Sequence, residues 1–247
     1  MKAFKTLLIT ESKLSLRGMD MLIFAICMPV IVMVILGIIY GSQPAFEGAS
    51  YTFIELSFGA VASIPICAGG LMGLPLVISD YRNKKILKRY KVTPISPALI
   101  LVVQFVIYTL YSIASLVLVY LCASILFDFQ LHGSLLAFLG AYLLVLLSMF
   151  SIGLLVGGLS PNVKTAGIVA SLLYFSTLIF SGATLPYEAM PVALQKAADF
   201  LPMAQGIKLL KAALLNLPVL DSVLPIIVMV VLAVVCIVIS IRFFKWE

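Results

Sequence analysis

Six cations and one carboxylate stand together in Asp80-Tyr-Arg-Asn-Lys-Lys-Ile-Leu-Lys-Arg-Tyr-Lys-Val-Thr-Pro-Ile-Ser-Pro97, where the chain's chemistry is most concentrated. Arg82, Lys84, Lys85, Lys88, Arg89 and Lys91 supply the charge, and Ile86, Leu87 and Tyr90 place apolar side chains among them. The helix-breaking prolines are kept to the far end, so the segment reads as a short amphipathic helix that a soluble partner could grip. The alternative is that the cations only fix membrane topology and meet lipid headgroups. Topology alone does not need six cations in one short loop.

Other reactive groups are sparse. No G-x-x-x-x-G-K-[ST] occurs, so no loop cradles a nucleotide phosphate by that route. No H-E-x-x-H motif, nucleophile–base set or pair of intramembrane aspartates is present, so no catalytic residue is expected. The single histidine, His132, reads as a residue of a short turn. Cys27, Cys67, Cys122 and Cys236 all fall in apolar stretches without C-x-x-C spacing, and are expected to be buried thiols without disulfide or metal.

The elements that must position the basic segment are membrane spans. Of 247 residues, 63% are hydrophobic and 11% charged, where a soluble domain carries about a quarter charged. The net charge of +6 lies in short segments beside apolar runs, which argues for membrane orientation and against nucleic acid. A helix needs about 20 apolar residues to cross the hydrocarbon. Six stretches qualify: 21–40, 53–79, 98–127, 134–159, 165–181 and 222–241. The first is too long for a signal-peptide core and lacks a cleavage site, so it reads as a retained span. The expected fold is an all-α integral membrane protein with six transmembrane helices in one transmembrane domain.

Of the 16 cations, 13 fall on one side of this arrangement, and only Lys196, Lys208 and Lys211 fall on the other. Both termini and the basic segment are therefore expected to be cytoplasmic. Residues 1–19 read as an interfacial helix, with Phe4, Leu7, Leu8 and Leu14 near helical spacing. Residues 182–221 are external by the charge count yet too apolar for an ordinary loop. Ser181, Gly182, Pro186, Met190 and Pro191 lead into one short helical piece, and Pro202 opens a second. Neither can cross the bilayer, so a re-entrant pair is expected, with a small external cap as the alternative. Gly69-x-x-x-Gly73 and Gly153-x-x-x-Gly157 allow close helix approach, within one subunit or across a homodimer.

Taken together, the chain resembles the membrane-spanning permease of bacterial ATP-binding-cassette (ABC) exporters of the type-2 class. Six spans with an interfacial leader carry the resemblance, as do Lys91-Val-Thr-Pro94-Ile-Ser after a charged helix and Phe180-Ser-Gly-Ala-Thr-Leu-Pro186 with Met190-Pro191 before Phe200-Leu-Pro202. One departure is that the family's loop often has the form E-x-E-x-G-T, whereas Asp80 to Leu87 holds one acid and no glycine. The resemblance implies a separate ABC ATPase subunit that binds ATP and magnesium, and no cofactor in this chain. It also implies a second permease copy, identical or related, a bacterial cytoplasmic membrane, and the 80–97 loop as coupling helix. The implied activity is export of an amphipathic or hydrophobic substrate such as a drug, antibiotic, peptide or lipid-like compound. A nucleotide-independent carrier or channel is the competing function, and a membrane anchor without transport is a third.

Overall fold

The computed structural model describes residues 2–41, 43–46, 48–86, 97–182 and 191–243. Helix α1 covers Lys2–Arg17. Six helices long and apolar enough to cross a membrane follow: α2 (Ile23–Tyr40), α3 (Phe53–Asn83), α4 (Pro97–Phe127), α5 (Leu135–Leu159), α6 (Val163–Phe180) and α9 (Val219–Phe243). Between the last two lie α7 (Val192–Asp199) and α8 (Pro202–Leu215). Among the described residues there is no β-strand beyond a lone bridge, Pro44 to Thr52, in the loop before α3.

Helix α3 is the centre, with 83% of its most apolar window buried, and it touches α2, α4, α5, α6 and α8. Its start is fixed by a capping box. The Thr52 hydroxyl accepts from Glu55 N at 3.2 Å while the Glu55 carboxylate accepts from Thr52 N at 2.7 Å, satisfying two amides that no helical carbonyl can reach. The outer helices turn large apolar side chains outward: Ile125, Leu136, Leu172 and Ile241 are each more than two-thirds exposed. An apolar exterior around a packed interior is stable in lipid and not in water. The chain is a multi-pass membrane protein.

Two spans carry a π-helical segment, Ile23–Cys27 in α2 and Ala68–Gly73 in α3. Each is closed by an i→i−5 bond, Met28 N to Ile23 O and Leu74 N to Gly69 O, and each is followed two residues on by a proline, Pro29 or Pro75. A proline ring clashes with the carbonyl four residues earlier in an α-helix, and the wider π turn relieves that clash. The π pattern is therefore written by the prolines.

The glycine pairs act within the subunit. A Cβ on Gly153 would lie 1.9 Å from the Gly70 carbonyl oxygen, and one on Gly157 3.0 Å from Pro75 Cα. Helices α3 and α5 thus meet backbone to backbone, which no larger residue permits. Gly69 and Gly73 face Tyr108 of α4, where added Cβ atoms would stand 3.3 and 2.8 Å from its side chain.

Candidate partner-coupling site

The end of α3 carries the start of the basic segment, and its last turn is tied on two sides. On one side, Tyr81 donates to the Glu11 carboxylate of α1, and Gln104 of α4 donates to the same carboxylate at 2.8 Å and to Tyr81 Oη at 3.1 Å. This network holds α1 against the spans, helped by buried Leu7 and the Ser15–Tyr111 bond of 3.2 Å. On the other side, Arg82 is buried, and its guanidinium donates to Gly158 O at 3.0 Å, to Gly157 O at 3.3 Å and to Ser160 O. These carbonyls end α5 and lack intrahelical partners, so the cation sits where both hydrogen bonding and the helix dipole favour it.

Beyond Arg82 the chain turns outward. Lys84 is exposed and pairs with Asp80 at 2.7 Å. Lys85 is exposed with φ of +56°, the left-handed conformation that commonly ends a helix and costs a non-glycine residue energy. A lysine thus holds backbone geometry that glycine adopts freely. Ile86 is half-buried and packs against the core, so its side chain is already engaged within the subunit. Leu87, Lys88, Arg89 and Tyr90 lie outside the described residues. The structure thus brings Arg82 and Ile86 inward and leaves Lys84 and Lys85 on the surface.

At the opposite end, Ser181 is buried and Gly182 has φ of +93°. Pro191 is exposed, and Pro202 opens α8 in the first turn, where its missing amide hydrogen costs nothing. Pro186 and Met190 lie outside the described residues. Helix α8 packs on α3, α5 and α9 and buries most of its length. Lys208 pairs with Asp199 at 2.6 Å, joining α8 to α7.

Sequence reasoning treated His132 as a plain turn residue. Its Nε2 lies 3.1 Å from Oε1 of buried Glu55, which also accepts from Gln130 N at 3.3 Å. The T-x-x-E pattern Thr52–Glu55 signals the cap, but no local pattern links position 55 to 132. Glu11 and Gln104 were likewise invisible, since their partners lie on other helices.

Among the described residues no three His, Cys, Asp or Glu side chains converge as metal ligands, and the four cysteines are unpaired. What the fold and this site define is a polytopic membrane protein, with a buried core around one central helix and its charge gathered at the helix ends. A sequence model of the ABC-2 type transporter family matches residues 2–215, and the chain belongs to that family. Two relatives are named nodulation protein J, from Rhizobium leguminosarum biovars viciae and trifolii. They are 34% identical over 89 residues (36% of this chain) and 33% over 75 residues (30% of it). The matched stretch spans 34% and 29% of those relatives.

Proposed function

We propose that this chain is the permease half of an ATP-driven exporter, with ATP and magnesium bound and ATP hydrolysed by a separate ABC ATPase subunit. Family membership over residues 2–215 carries the reading. The distribution of charge supports it. In the described spans, Asp, Glu, Lys and Arg occur only near the ends, as Glu55, Asp80, Arg82, Lys164, Asp221 and Arg242. A carrier driven by protons or sodium usually needs carboxylates or liganding carbonyls in mid-membrane. The same poverty of charge suits an amphipathic or hydrophobic cargo, such as a drug, antibiotic, peptide or lipid-like compound.

In this reading the protein sits in the bacterial cytoplasmic membrane with both termini in the cytoplasm, and its apolar flanks meet lipid. The segment after Arg82 is the coupling helix, with Lys84, Lys85, Leu87, Lys88, Arg89 and Tyr90 offered to the ATPase. A second permease copy completes the unit, and α7 with α8 dips into the outer leaflet. The test is co-purification with the ATPase encoded nearest this gene. The wild type retains the ATPase, and Lys88→Glu with Arg89→Glu loses it while inserting normally. Tight ATP binding by this chain alone refutes the division of labour, and full retention in the double variant rules out Lys88 and Arg89 as the dock.

A further inference from the structure

The basic segment is joined to more than the helix it follows. Arg82 stands two residues before Lys84, at the last turn of α3, and all three of its named acceptors belong to the last turn and cap of α5. Above it the two helices stay in contact, Gly157 against Pro75 and Gly153 against the Gly70 carbonyl. Gly70 lies in the π segment Ala68–Gly73, between Pro65 and Pro75, where the α-helical ladder of α3 is interrupted. Such an interruption is a place for a helix to bend. The part of α3 beyond it is thus bounded by a hinge at one end and by Arg82 at the other, with α5 alongside.

We propose that Arg82 is a positioning residue that fastens the end of α3 to the end of α5, so that a displacement of the basic segment moves both as one body. A planar guanidinium with five donors can hold several carbonyls at once, which neither a lysine nor a glutamine reproduces. Without the clamp, α3 follows the segment without α5 and the ends of the two helices part. The inference rests on the reading of that segment as the ATPase contact.

The test uses the full chain without its four native cysteines, assembled with its ATPase in lipid nanodiscs and spin-labelled at Asn83→Cys and Pro161→Cys, two exposed positions outside the clamp. Distances are measured by double electron–electron resonance with and without a non-hydrolysable ATP analogue and magnesium. The wild type keeps one distance distribution in both conditions. Arg82→Gln shows a nucleotide-dependent shift to longer distance, and Arg82→Lys a smaller one. A residue that only caps α5 would lower thermal stability in Arg82→Gln and leave the distance independent of nucleotide, and that result overturns the proposal.

If Arg82→Gln does not fold, bridging the same two cysteines with a bis-maleimide in the same background with Arg82 retained decides the matter. Hydrolysis by the assembled ATPase continues without loss if the two ends travel together, and its collapse overturns the clamp. Failure of the underlying reading looks different, because the unsubstituted chain then retains no ATPase at all.

Discussion

Lys85 holds a left-handed backbone at the exit from α3, and the cost of that conformation is a measurable property of one residue. Lys85→Gly removes the clash between Cβ and backbone and raises stability by about 1 kcal/mol, read as a higher melting temperature in detergent. A β-branched replacement, Lys85→Val, moves it the other way. At the opposite end Thr52 caps α3, and Thr52→Ala costs about 1 kcal/mol because Glu55 N loses its acceptor. The T-x-x-E spacing is a local signal of such a cap that the sequence reading did not use. The conformation of Lys85 has no such signal, since a charged loop without glycine gives no local sign of positive φ. Arg82 shows the limit most directly: its neighbours in sequence are surface cations, yet its partners lie 75 to 78 residues away. Linear charge counting cannot separate a cation that faces inward from one that faces water.

Among the elements, α3 and α5 set the tolerance of the fold. Gly153→Ala places a methyl group 1.9 Å from a carbonyl oxygen, so the helices must separate. A cost of about 1–3 kcal/mol is expected for overpacking of this kind, seen as a lowered melting temperature and reduced yield. Gly140→Ala on the same helix has nothing within 4 Å and is the matched control, expected to change little. Ser148 joins α5 to α9 by a 2.8 Å bond to Met229 O, and Ser148→Ala costs about 0.6 kcal/mol, the average for such bonds in a membrane protein. The small-residue spacing made close approach legible, and packing within the subunit now accounts for both glycine pairs. The π segments were hidden because proline predicts a bend and not the hydrogen-bond pattern that absorbs it. The two helices α7 and α8 were readable from the position of Pro202, while the pairing of Lys208 with Asp199 needed the turn between them in three dimensions.

For the whole molecule, six apolar stretches and an excess of cations on one side defined both the architecture and its expected orientation. Apolar length is a property of each segment alone, so counting spans needs no tertiary information, whereas the buried carboxylate Glu55 and the half-buried Glu11 acquire meaning only when distant helices meet. The account's central claim is that the basic segment after α3 faces the cytoplasm, opposite α7 and α8. Thiol labelling in intact cells tests it directly, in a background without the native cysteines. Lys84→Cys and Phe200→Cys serve as reporters, since Lys84 is exposed beside the basic segment and Phe200 is 90% exposed between α7 and α8. The account predicts that a membrane-impermeant maleimide modifies Phe200→Cys in intact cells and reaches Lys84→Cys only after permeabilisation. Modification of Lys84→Cys from outside, with Phe200→Cys protected, would contradict it.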